Sequence, residues 1–100
     1  MTPAPKNLTR WHLVLSGRVQ QVGLRYTSLY LCRDLGLTGW VKNLLDGRVE
    51  MEVQGDTADV RRFYLRLKDR LPIRIDHADI TVVPLVSGER AFSVSRWESD

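Results

Sequence analysis

Gly39-Trp-Val-Lys-Asn-Leu-Leu-Asp-Gly-Arg-Val-Glu-Met-Glu-Val-Gln54 lies in mid-chain and reads as two strands folded back on each other. Asp46-Gly47 supplies the turn, because both residues tolerate the backbone geometry of a tight hairpin. Beyond it, Val49, Met51 and Val53 alternate with Arg48, Glu50, Glu52 and Gln54. A period of two puts the aliphatic set on a core face and the polar set on an open one. The predicted strands run from Gly39 to Leu45 and from Arg48 to Gln54. A hairpin makes them antiparallel neighbours, so the fold follows from what flanks them.

Towards the N-terminus, Leu24, Ser28, Cys32 and Leu35 recur near helical spacing, and Gly36 closes that helix. Before it, Trp11, Leu13 and Leu15 alternate with His12, Val14 and Ser16, a strand over Arg10–Ser16. Towards the C-terminus, Asp56 or Thr57 caps a helix with the stripe Val60, Phe63, Leu67 and Leu71, which Pro72 ends. A linker at Ile73–His77 precedes a strand over Ala78–Pro84, a turn at Ser87-Gly88 and a last strand over Ala91–Trp97. The order βαββαβ predicts an α+β, ferredoxin-like sandwich, an antiparallel sheet with two helices on one face. Residues 9–97 would form this one domain, with 1–8 a flexible lead-in containing two prolines. That architecture serves many functions, so the site must be argued from residues.

Composition narrows the classes. The 43% hydrophobic content of the 100 residues fits one modest globular core. No apolar run approaches the roughly 20 residues that span a bilayer, and the N-terminus has no apolar signal segment. Cys32 is the only cysteine, which excludes an internal disulfide and fits a reducing cytoplasm. With two histidines besides, there is no Cys/His set for zinc, and no acidic motif suggests magnesium. A formal charge of +3 and a pI near 9.4 suit an anionic partner without choosing one.

The loop Gly17-Arg-Val-Gln-Gln-Val-Gly23 joins the first strand to the first helix. Strand, glycine-bounded loop and helix N-terminus together make a phosphate site, since unpaired N–H groups converge there and the helix dipole favours an anion. Arg25 stands at the wrong end of the helix for the dipole, but its guanidinium suits a bidentate clamp on phosphoryl oxygens. The plainer reading is that the glycines only turn the chain and Arg25 is a solvated charge. The loop lacks the Gly-Lys-Ser/Thr of a nucleotide P-loop and the spacing of a dinucleotide fingerprint.

Gly17-Arg-Val-Gln-Gln-Val-Gly-Leu-Arg25 resembles the acylphosphatase loop signature GRVQGVxFR, and Gly36-Leu-Thr-Gly-Trp-Val-Lys-Asn43 is similar to that family's GLxGWVxN. Asp46-Gly-Arg-Val-Glu50, Gln54-Gly55 and Arg74-Ile-Asp76 extend the resemblance over residues 10–96. It implies a metal-free, cofactor-free hydrolase of carboxyl–phosphate anhydrides, releasing carboxylate and inorganic phosphate. Backbone amides of Gln20, Gln21, Val22, Gly23, Leu24 and Arg25 would cradle the phosphate. Arg25 would clamp it and Asn43 would orient a water that attacks phosphorus without a covalent intermediate. Two positions depart from the pattern: Gln21 replaces a glycine and Leu24 an aromatic. If Gln21 must take a positive φ, the cost is about 1–2 kcal/mol. That leaves a second reading, an anion-binding module of weak or absent turnover.

Other residues attract blander assignments. Trp40, Tyr26, Tyr30 and Trp97 suggest base stacking, but the third strand, Arg48–Gln54, carries two acids and no aromatic, which argues against RNA. Cys32 falls on a core stripe, His12 and His77 have no neighbouring nucleophile, and Arg61, Arg62, Arg66, Lys68 and Arg70 form a solvated helix face. A monomer is the expected state, with neither nucleic acid nor membrane as partner.

Overall fold

A computed structural model describes residues 7–96. The hairpin appears as β2 (Thr38–Asn43) and β3 (Val49–Asp56), paired antiparallel from Thr38↔Gln54 to Asn43↔Val49. Val49, Met51 and Val53 are fully buried, as their alternation requires. The turn puts Gly47 at φ 95°, a left-handed position that glycine fills without steric cost. β1 (Leu8–Arg18) lies on the other side of β3, and β4 (Arg74–Val82) pairs antiparallel with β1. β5 (Phe92–Val94) completes a five-stranded sheet of order β4-β1-β3-β2-β5.

Helices α1 (Leu24–Leu35) and α2 (Thr57–Lys68) share one face of this sheet. Leu24 and Cys32 from α1 and Val60, Phe63 and Leu67 from α2 meet Leu13, Leu15 and the hairpin's aliphatic set in one cluster. Burying each large aliphatic or aromatic side chain contributes about 1.5–3 kcal/mol. The Asp56 carboxylate caps α2 by accepting from Ala58 N–H. Gly36 ends α1 at φ 69°, where Leu37 N–H donates back to Cys32 O.

Several sequence boundaries need correction. β4 begins at Arg74, inside the segment expected to be a linker, because β1 runs on to Arg18 and pairs there with Arg74 past a bulge at Ser16/Gly17. Gly17 (φ 127°) fits that bulge because any Cβ would strike the Arg74 carbonyl oxygen. As an edge strand, β4 carries Arg74, Asp76, His77 and Asp79 exposed, and so shows little aliphatic alternation. α2 stops at Lys68 rather than at Pro72, leaving Leu71 88% exposed while Ile73 enters the core instead. β5 holds only three residues, and Trp97 lies outside the described residues, as do 1–6 of the expected lead-in. The sheet is also not wholly antiparallel, since β5 pairs parallel with β2.

That parallel pairing depends on the segment between β4 and β5, which must cross from one sheet edge to the other. Arg10 anchors it. Its side chain is almost completely buried on the helix-free face and donates to Glu52, to Gln54 Oε1 at 3.0 Å and to both carboxylate oxygens of Glu89 at 2.9 and 3.2 Å. Gln54 in turn accepts from Val86 N–H at 2.8 Å and donates to Val86 O at 3.0 Å. The crossing chain arrives at Phe92, so that β1, β2 and β5 all run towards the end of the sheet where α1 begins.

The hydrogen bonds from Arg10 hold the Glu89 carboxyl below its ordinary value near 4.5, against burial, which pushes it up. The unfolded chain therefore binds this proton more readily than the folded one. Stability from the pair is full above the ordinary value and is lost as pH falls through the lower folded one. On acidification from about pH 5 to pH 3, the urea midpoint of the wild type should fall more steeply than that of Glu89→Gln. Arg10→Ala leaves Glu52 and Glu89 without their cation and should cost roughly 3 kcal/mol or more.

Candidate active site

The chain leaves β1 through buried Val19 and turns into α1 over Gln20–Gly23. Two left-handed residues make the turn, Gln21 at φ 60° and Gly23 at φ 78°. Thr27 N–H makes the first helical bond, to Gly23 O at 2.9 Å. No side chain caps this N-terminus and no acid lies in its first turn. Among the described residues, nothing accepts a hydrogen bond from the backbone N–H groups of Gln20 to Tyr26. Unpaired donors and the positive end of a helix dipole together form a concavity suited to an anion.

Arg25 stands half-buried in the first turn of α1 and donates from Nη1 to Ser95 O at 2.6 Å, just past β5. Ser95 N–H is itself held by Val41 O at 2.9 Å, so Arg25 is tied to the end of the parallel β2–β5 pair. Asn43 is the last residue of β2 and 5% exposed. Its Oδ1 is buried and has no hydrogen-bond partner among the described residues. An orphaned buried acceptor costs about 1–3 kcal/mol.

The topology brings these groups to one end of the sheet: the loop after β1, Arg25 at the start of α1 and Asn43 at the end of β2. Residue patterns did not reveal the side chain of Gln20. Its Nε2 donates to Leu44 O at 2.7 Å and Arg48 O at 2.9 Å, bridging the loop to the hairpin. Nor did they reveal Ser95 as the carbonyl behind Arg25. Both contacts span tens of residues and leave no local signature.

On the β4 side, Arg18, Lys68 and Arg74 line an open hollow of about 510 Å³ together with Leu71, Pro72, Ile73 and Ile75. These cations add to the positive field at this end of the molecule. His12 is hydrogen-bonded to Glu50 on the open sheet face and His77 to Asp79 on the edge strand. Cys32 is buried, which pushes its thiol far above the ordinary range. Among the described residues, no three His, Cys, Asp or Glu side chains gather as a metal-binding group, and no helix is long and apolar enough to cross a membrane.

The sequence model of the acylphosphatase family matches residues 11–94. The chain belongs to the acylphosphatase family. It is accordingly a hydrolase that cleaves the carboxyl–phosphate bond of acyl phosphates. It is 38% identical to an acylphosphatase of Clostridium beijerinckii over 88 residues, covering 87% of this chain and 98% of that one. An acylphosphatase of Bifidobacterium longum is likewise 38% identical, over 88% of this chain and 93% of its own. The crystal structure of acylphosphatase from Bacillus subtilis superposes with a TM-score of 0.80 at 31% identity, over 87% of this chain and 98% of that one.

The departure from the acylphosphatase pattern at Gln21 now has a geometry. The position does require positive φ, and glutamine adopts it, exposed to solvent at φ 60°. The loop therefore takes its left-handed turn with glutamine in place of the glycine. Gln21→Gly should relieve about 1–2 kcal/mol of folded-state strain. It also adds unfolded-chain freedom worth roughly 0.4–1 kcal/mol. A small net stabilisation in thermal melts is expected, with kcat/KM raised a few-fold at most. A destabilised variant would contradict the strain assignment.

Proposed function

We propose that the phosphoryl group of the acyl phosphate binds in the concavity of backbone N–H groups from Gln20 to Arg25, clamped by the Arg25 guanidinium. Nη1 of Arg25 is occupied by Ser95 O, which leaves Nε and Nη2 for phosphate oxygens and fixes the plane of the fork. The Asn43 carboxamide holds the attacking water, accepting through Oδ1 and donating through Nδ2. The observation that carries this reading is the buried, unpartnered Oδ1 of Asn43 at the strand end that faces α1.

The chemistry asks for little else. Phosphoryl transfer needs in-line positioning and donors aimed at charge spread over the equatorial oxygens. Helix amides and arginine supply both from a preorganised frame. The leaving carboxylate is weakly basic, so no strong general acid is required. Water attacks phosphorus, the P–O bond to the acyl group breaks, and carboxylate and inorganic phosphate leave, with no metal ligand or covalent nucleophile assigned a part. A monomer in a reducing compartment belongs to the same proposal, supported by the single buried thiol of Cys32.

Arg25→Ala should abolish most turnover of a synthetic aryl acyl phosphate, and Arg25→Lys should rescue it poorly, because a point charge cannot replace the planar fork. Asn43→Ala should lower kcat by about 10²–10³ while inorganic phosphate still inhibits competitively. Full activity in folded Arg25→Ala protein would contradict the clamp. Loss of phosphate affinity with kcat intact in Asn43→Ala would make Asn43 a binding group instead.

A further inference from the structure

The β2–β3 turn closes without help from the rest of the chain. Leu44 N–H donates to Arg48 O at 2.8 Å, Gly47 N–H to Leu44 O at 3.2 Å and Arg48 N–H to Asp46 Oδ1 at 3.0 Å. Gln20 nevertheless reaches in from the phosphate loop and gives its Nε2 protons to the carbonyls of the two residues that flank the turn, Leu44 and Arg48. Both partners are acceptors, so the amide must present its NH₂ to them. These two bonds are surplus to turn closure. Their effect is to join segments 24 and 28 residues apart in sequence.

The joint lies one residue beyond Asn43, whose pairing with Val49 is the last rung of the β2–β3 ladder. We propose that the Gln20 carboxamide is a positioning residue for hydrolysis: it sets Asn43 against the phosphate loop through the Leu44 and Arg48 carbonyls, without touching phosphate or water. The inference rests on the reading that Asn43 orients the water, and deepens it. One bond would leave the hairpin free to hinge about a single point. Two bonds, one to each side of the turn, restrain both hinging and sliding. The same anchor holds the chain next to Gln21, whose left-handed backbone needs a surrounding that over-determines it. The backbone N–H of Gln20 is a separate group, so side-chain substitutions leave the amide concavity its donors.

The test uses Gln20→Met, which keeps length but cannot donate, and Gln20→Glu, which turns a carboxylate towards two carbonyl oxygens. Both are made in wild-type and Asn43→Ala backgrounds. The readouts are kcat for an aryl acyl phosphate and the competitive inhibition constant of inorganic phosphate. Because misplacement by about 1 Å can cost on the order of 10²-fold, a smaller loosening should lower kcat roughly tenfold with phosphate inhibition nearly unchanged. In the Asn43→Ala background the same substitutions should change kcat by less than about twofold, since nothing is left to position. Three results would overturn the proposal: unchanged kcat, equal losses in both backgrounds, or collapsed phosphate inhibition. Loss of native circular dichroism in both variants would overturn it too, because a latch surplus to turn closure is not needed for folding. Failure of the Asn43 reading shows separately, as wild-type kcat in the Asn43→Ala single variant.

Discussion

Left-handed backbone at Gln21 and Gly23 is the constraint on which the site depends. It swings the chain from the end of β1 into α1 within a few residues. It also leaves successive N–H groups without acceptors among the described residues. A straighter path would send the helix elsewhere or spend those donors on the protein itself. Gly23 accepts its geometry at no steric cost, and a Cβ there would meet nothing within 4 Å, so its requirement is conformational rather than spatial. Gln21 holds a similar left-handed geometry at a cost of about 1–2 kcal/mol.

From that turn the remaining groups are placed by strand direction. β1, β2 and β5 run parallel to one another and end together, which brings Asn43 and Ser95 to the loop. The direction of β5 is set on the far side of the molecule, where buried Arg10 gathers Glu52, Gln54 and Glu89 and pins the crossing chain to the open face of the sheet. A buried cation is costly to desolvate and is tolerated here because two carboxylates and an amide satisfy it. The Arg10 cluster thus reaches the site at the opposite end only through the course of β5, whose following residue holds Arg25.

Much of this was legible in the sequence, and what was missed has physical causes. Alternation gave β3 because one face is dry and the other wet, and the αL glycine at the end of α1 gave its boundary. β4 was misplaced because an edge strand exposes most of its residues and so loses its period. Leu71 followed the helical stripe in sequence, but the chain turned after Lys68 and put Ile73 in the core instead. Parallel pairing of β5 has no local signal, since it depends on where a long crossing segment is tied down. At the candidate site, the motifs pointed to Arg25 and Asn43, and the topology brings both to one end of the sheet. The Gln20 latch and the Ser95 carbonyl were not legible, because each depends on tertiary contacts between distant segments.

Arg25, the loop amides and Asn43 all serve one claim, that water is delivered to phosphorus rather than to the acyl carbon. Hydrolysis of an aryl acyl phosphate in water labelled with heavy oxygen, in the presence of a chelator, tests it directly. The account predicts one labelled oxygen in the inorganic phosphate released and none in the carboxylate. Label in the carboxylate would mean attack at carbon and would contradict the assigned roles of Asn43 and the phosphate loop.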